Sequence, residues 1–355
     1  MNPKGEIQIL IGTYTEPEES DSEGVYVYRM DNSSGKLSYK KIVKGMPNVS
    51  FMAKHPWLEL IYAVNETEEF EGEPGGGVSM LSRDYDVLHK QSSAGEHPCY
   101  ISIEQTGRFA LVANYTSGRV AMLSIGADGQ LLPASDVVQH VGSSVHPERQ
   151  TSPHPHCIIP DPANRFAIAV DLGLDKLLVY RMDLKSGKLQ IYNEVNLDAC
   201  SGPRHLIFNS SGQHAYLLNE LNSTLTVYRY DSDTGTFTEL QIVSTLPEDF
   251  SGENYCSDLH LSSDEKYLYV SNRGHDSLVC FKVDANSGRL TYQSQIASGG
   301  QYPRIFAIDP SGRFLVAVHQ KSNNVAVFRI DPLTGRLIHT GHEVAVSMPV
   351  HALFA

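Results

Sequence analysis

The feature that most constrains this chain is a unit of about fifty residues that recurs from one end to the other. Each copy opens on a Pro-led apolar stretch, a turn and a second apolar stretch: PCYISIEQTGRFALVANY, PHCIIPDPANRFAIAVDL, PRHLIFNSSGQHAYLLNE and PRIFAIDPSGRFLVAVHQ. Each reads as a hairpin of two short buried strands, because β-branched and aromatic residues suit strands while Gly107, Gly212 and Gly312 suit a turn at positive φ. A third strand follows, as in LLVYRMD, LTVYRYD, LVCFKVD and VAVFRID. It closes on D-x-x-S/T-G-x-L/F, found at Asp31 to Leu37, Asp183 to Leu189, Asp231 to Phe237, Asp284 to Leu290 and Asp331 to Leu337. There the Asp and the hydroxyl residue cap a turn, the Gly takes the left-handed conformation, and a more polar fourth strand begins. Four antiparallel strands make one propeller blade.

Blade starts fall at Pro47, Pro98, Pro155, Pro203, Cys256 (in place of Pro), Pro303 and Pro349, which makes seven. The last of them, PVHALFA, supplies a first strand alone, whereas the opening IQILIGTY resembles a second strand that lacks a first. The expectation is one all-β domain over residues 1–355, a seven-bladed β-propeller with four antiparallel strands per blade, in which the C-terminal strand completes the N-terminal blade. A β-solenoid or a pair of β-sandwiches would also accommodate short strands and frequent turns. Neither explains why the two ends are complementary fragments of one unit.

A formal charge of −13 repels polyanions, so nucleic acid and anionic membrane are not expected partners, and an anionic substrate must find locally concentrated positive charge. No apolar run approaches the roughly 18 residues that span a bilayer, and the opening MNPKGEIQIL lacks the architecture of a cleaved signal, which makes the cytoplasm the expected location. The five cysteines are odd in number and lack CxxC spacing; they read as buried thiols rather than as disulfides or thiolate metal ligands.

Two positions of the repeat are expected to share one face at the mouth of the propeller channel: the residue after the blade-start Pro, and the residue that follows the close of the second strand. The first set is Asn48, Cys99, His156, Arg204, Ser257, Arg304 and Val350; the second is Tyr14, Glu66, Tyr115, Leu172, Glu220, Arg273 and Gln320. Three guanidiniums in an acidic chain make an anion trap, and two carboxylates with an imidazole offer proton transfer near neutral pH. In SPHPHC we expect His154 and His156 to point to opposite faces, and with no third ligand evident no metal site is read there. EFEGEPGGG, residues 69 to 77, reads as a mobile surface loop, and residues 140 to 154 as either a lid or a solvated connection.

These motifs resemble the lactonase family of seven-bladed propellers, which includes bacterial 6-phosphogluconolactonases of the propeller type and fungal carboxy-cis,cis-muconate cyclases. The resemblance spans the chain and is carried by IGTYT, SPHPHC, GPRH, the pair Asn219–Glu220 and SNRGHDS. It implies a catalytic set of one His, two Arg and one Glu, falling on His156, Arg204, Arg273 and Glu220. Arg304 and Glu66 join them from the ring positions as candidate substrate-binding residues. The activity implied is hydrolysis of a small anionic sugar-acid lactone without a cofactor, foremost 6-phosphogluconolactone to 6-phosphogluconate, within glucose metabolism. Glu220 or His156 would be the general base, and Arg204 and Arg273 would hold the phosphate or the oxyanion. Lactonising cyclisation of a carboxymuconate, and a non-catalytic interaction module, are the alternatives.

Overall fold

The computed structural model describes residues 6–16 and 18–355. The opening MNPKG, which enters the expectation about compartment, lies outside the described residues. Seven four-stranded antiparallel sheets account for almost all of the regular structure, and no helix occurs among the described residues. These are the blades of a seven-bladed β-propeller. Blade 1 comprises Glu6–Thr13, Gly24–Asp31 and Leu37–Lys44 with the last strand of the chain, Pro349–Phe354. Blade 2 is Val49–Lys54, Ile61–Asn65, Gly77–Leu81 and Val87–Ser92; blade 3 is Pro98–Ile103, Phe109–Asn114, Arg119–Ile125 and Leu131–Gln139. Blade 4 is Pro155–Pro160, Phe166–Asp171, Lys176–Asp183 and Lys188–Asn196; blade 5 is Pro203–Phe208, His214–Asn219, Thr224–Asp231 and Thr236–Ser244. Blade 6 is Tyr255–Leu261, Tyr267–Arg273, Ser277–Val283 and Leu290–Ala297; blade 7 is Pro303–Ile308, Phe314–His319, Asn324–Ile330 and Leu337–Ala345.

The C-terminal strand completes blade 1 as expected: Ile9 pairs with Phe354, Ile11 with Ala352 and Thr13 with Pro349. The residues fall into two compact units, one of Met1–Val49, Ser223–Val227 and Leu240–Ala355, the other of Ser50–Asn222 and Tyr228–Glu239.

Strand position within a blade is written in its burial pattern. Every residue of the second strands Phe109–Asn114, Phe166–Asp171 and Phe314–His319 is buried, whereas the fourth strands, such as Val87–Ser92 and Lys188–Asn196, largely alternate between more and less exposed positions. A strand covered on both faces needs a continuous apolar run, and a strand covered on one face needs period two. In the second unit Tyr62, Val64, Ile101 and Val112 pack blade 2 on blade 3, and Leu111, Met122, Ile158 and Ala169 pack blade 3 on blade 4. In the first unit Tyr269, Phe306, Leu315 and Phe328 do the same for blades 6 and 7. Each such side chain contributes about 1.5–3 kcal/mol of burial.

The D-x-x-S/T-G turns form as the motif dictates. Asp31 Oδ1 accepts from the Ser33 amide at 3.1 Å and from the Ser34 amide and hydroxyl, both at 2.8 Å; Gly35 donates to the Asp31 carbonyl and stands at φ +77°. Such bonds favour the ionised carboxylate and hold Asp31, Asp183, Asp231, Asp284 and Asp331 below their ordinary 3.8. Because the folded values are depressed, this contribution to stability is present above the unfolded value and is lost as the pH falls through the folded ones. Combined Asp31→Asn and Asp331→Asn changes are therefore expected to flatten the fall in melting temperature between about pH 5 and pH 3. An unchanged slope would show that these turns are not titrated by folding.

One local expectation needs correction. The segment EFEGEPGGG contains a two-stranded hairpin, Glu69–Phe70 against Glu73–Pro74, rather than an irregular loop. Phe70 folds back over Gly77 so closely that a Cβ there would lie 2.6 Å from the ring, so the glycine run admits packing instead of supplying slack.

Candidate active site

The residue after the blade-start Pro is placed by a β-bulge. In blade 4 Pro155 pairs with Asp171 and Cys157 with Val170, which leaves His156 as the extra residue; in blade 5 Pro203 pairs with Asn219 and His205 with Leu218, which leaves Arg204. Cys99, Arg304 and Val350 occupy the same extra position in blades 3, 7 and 1. A bulge frees one residue from strict alternation and re-aims its side chain. The position after the second strand is drawn to it by a recurrent backbone bond. The amides of Tyr115, Leu172, Glu220 and Gln320 donate to the carbonyls of His97, His154, Gly202 and Tyr302, each immediately before a blade-start Pro, at 2.7–3.2 Å.

Within the second unit this geometry joins three of the expected residues. The Arg204 Nη1 donates to His156 Nε2 and to Glu220 Oε2, each at 2.6 Å. All three residues are buried, with exposures of 5% for His156, 3% for Arg204 and 1% for Glu220. A guanidinium has only donors, so His156 Nε2 must be the acceptor, which puts the imidazole in its neutral form with the ring proton on Nδ1.

A fourth member was not anticipated from the repeat. Arg149 reaches in from the 140–154 insertion, and its Nη2 donates to Glu220 Oε1 at 2.6 Å and lies 3.4 Å from the Tyr115 hydroxyl. Glu220 is thus gripped by one guanidinium on each oxygen. Burial by itself would lower Arg149, but the Glu220 carboxylate and Tyr115 outweigh it and raise the guanidinium further. Burial, opposed by Arg149 and assisted by Glu220, holds the Tyr115 phenol above its ordinary value, so it stays protonated. With His156 neutral, two arginines and one glutamate leave a formal charge of +1 at this point of an acidic chain.

The insertion is tied down along its length. Asp171, fully buried, accepts from His140 Nδ1 at 2.6 Å near one end and from the His154 amide at 2.8 Å at the other. The Tyr180 hydroxyl donates to His140 Nε2 at 2.9 Å; burial and the Asp171 charge keep that phenol protonated. Between the ends, buried Gln150 donates to the Leu172 carbonyl at 2.8 Å and Ser144 to Asp175 at 2.6 Å. Gly173 carries no side chain because a Cβ would stand 2.0 Å from the Ser152 carbonyl. What could have signalled Arg149 in the sequence is the length of this connection and its Arg seven residues before His156, since long ordered loops tend to carry function.

His154 and His156 do not point apart. The His154 ring stacks on Tyr115 with centroids 4.4 Å apart, and the His156 ring meets the same Tyr115 edge-on at 5.5 Å. Alternation gives no ground for divergence, since i and i+2 of an extended segment share a face, and the bulge at His156 re-aims its ring. Among the described residues no three His, Cys, Asp or Glu side chains gather as metal ligands would.

Arg273 and Arg304 belong to the first unit. Arg273 is buried, donates to the Tyr255 and Cys256 carbonyls at 3.2 and 3.3 Å, and lies over the Tyr302 ring, whose centroid is also 4.2 Å from Lys321 Nζ. Arg304 lies over the Tyr14 ring. Glu66, half-buried, follows the second strand of blade 2.

The 6-phosphogluconolactonase of Bacillus subtilis is 33% identical over 344 residues, covering 97% of each chain. The solved structure of the periplasmic gluconolactonase of Pseudomonas aeruginosa superposes with a TM-score of 0.91 at 35% identity over 98% of this chain and 99% of that one. A Lactobacillus plantarum protein structure superposes with a TM-score of 0.91 at 33% identity over 99% of both chains. The family model described as Lactonase, 7-bladed beta-propeller, matches residues 8–354, and the chain belongs to that family.

Proposed function

We propose that this protein hydrolyses a sugar-acid lactone, with 6-phosphogluconolactone as substrate, at the cluster of His156, Arg204, Glu220 and Arg149. The observation that carries the reading is the buried Arg204 guanidinium bridging a neutral imidazole and a carboxylate. Burying an ion pair contributes little net stability, so stability alone does not account for this one. The relatives named 6-phosphogluconolactonase and gluconolactonase favour the substrate class.

Opening a lactone requires attack of water on the carbonyl carbon, charge on the carbonyl oxygen, and a proton for the ring oxygen as its bond to that carbon breaks. Arg204 turns a donor from His156 Nε2 to the carbonyl oxygen and stabilises the oxyanion. Nε2, released, accepts the proton of the attacking water and returns it to the departing ring oxygen. Glu220, with an arginine on each oxygen, orients Arg204 instead of serving as the base. No cofactor is called for in this scheme. Arg273 and Arg304 remain candidate anion-binding residues. The cytoplasm remains our reading of location, supported by five free cysteines.

The direct test is the disappearance of freshly generated 6-phosphogluconolactone, followed with and without protein against its spontaneous hydrolysis. Acceleration proportional to enzyme concentration is expected. No acceleration with this lactone or with gluconolactone would overturn the proposal.

A further inference from the structure

The cluster is graded in exposure: Arg204 and Glu220 side chains are 3% and 2% exposed, whereas Arg149 is 32% exposed. Arg149 is thus the member that solvent, and a ligand arriving from solvent, meets. It stands on irregular backbone, yet that backbone is clasped at both ends by Asp171 and held from within by Gln150 and the His146 ring, whose Nδ1 accepts the Arg149 amide at 3.1 Å. A loop fixed in this way presents its guanidinium without a large ordering cost on binding.

We infer that Arg149 is the specificity residue for an anionic substituent on the substrate, a phosphomonoester above all, while Arg204 and His156 address the lactone carbonyl. The inference rests on the lactonase reading of the site. Two facts lead to it. The planar guanidinium matches phosphate oxygens in geometry and charge. The Tyr115 hydroxyl, protonated and within 3.4 Å of Arg149 Nη2, places a second donor beside it. A neutral lactone would engage the carbonyl-directed residues without drawing on Arg149, and a phosphorylated one would use both.

The test compares wild type with Arg149→Ala and Arg149→Lys on 6-phosphogluconolactone and on gluconolactone, alongside calorimetric binding of the stable product 6-phosphogluconate and of gluconate. Thermal melts confirm that the variants fold. For Arg149→Ala we expect KM for the phosphorylated lactone to rise roughly ten- to hundredfold, the scale of a lost charged hydrogen bond, and kcat/KM for gluconolactone to fall by a much smaller factor, so that the preference for the phosphorylated lactone drops. Arg149→Lys should recover part of the loss. A fall in kcat of equal size on both lactones would overturn the inference and make Arg149 a brace for Glu220. Should wild type hydrolyse neither lactone yet bind 6-phosphogluconate through Arg149, the lactonase reading fails while Arg149 stands as the residue that binds the anionic substituent. Equal binding of 6-phosphogluconate by wild type and Arg149→Ala, or binding by neither, would overturn it.

Discussion

Arg204→Ala should lower kcat/KM for lactone hydrolysis by about 10²–10³, the usual consequence of removing a preorganised donor from a developing oxyanion. The oxyanion loses its guanidinium, and that loss outweighs the freeing of His156 Nε2 from its hydrogen bond. Arg204→Lys is expected to restore little. The bonds of Arg204 to His156 and Glu220 leave from one Nη1 at 2.6 Å, and an ammonium on a flexible stem does not reproduce the rigid plane that sets them. Initial rates corrected for spontaneous hydrolysis read the effect. A variant with more than half of wild-type activity would remove Arg204 from the chemistry.

Glu220→Ala should destabilise the fold by about 3–5 kcal/mol, because it leaves Arg204 charged and buried without its carboxylate. Arg149, being partly exposed, can relax toward solvent and adds less. Glu220→Gln keeps the shape and loses the charge, so it should fall between. Removing both partners is the informative control. Arg204→Met with Glu220→Leu is expected to unfold at a denaturant concentration close to wild type while being inactive, since apolar replacement of a buried pair is often neutral. Urea unfolding followed by tyrosine fluorescence measures all four. A cost below about 1 kcal/mol for Glu220→Ala would mean that water reaches Arg204 and that the pair behaves as a surface one.

How much of this was legible before the structure differs from part to part. The blades were readable because turn chemistry repeats: each D-x-x-S/T-G closes a third strand, and the complementary ends require closure of blade 1. His156, Arg204 and Glu220 were readable as equivalent positions, one after a Pro and one after a strand. Their cause was not, because a β-bulge is a relation between two strands and leaves no mark on either alone. Arg149 lay outside reach for a related reason. It stands on an insertion that has no register with the repeat, and its direction is set by long-range hydrogen bonds, among them those of the loop to Asp171 and of the guanidinium to Glu220. The segment EFEGEPGGG misled by composition, since its glycines look like slack and instead accommodate Phe70.

The pairing of Ile9–Thr13 with Pro349–Phe354 also imposes an order on biosynthesis. The strand Glu6–Thr13 is synthesised long before its inner partner, Pro349–Phe354. At about 5–20 residues per second, the interval is on the order of tens of seconds. For that time the backbone donors and acceptors along one edge of Glu6–Thr13 have no native partner, whereas each other blade is built of strands made in succession. Blade 1 closes only after the strands of the other six have been made, and until then it presents an open sheet edge of the kind that recruits neighbouring chains.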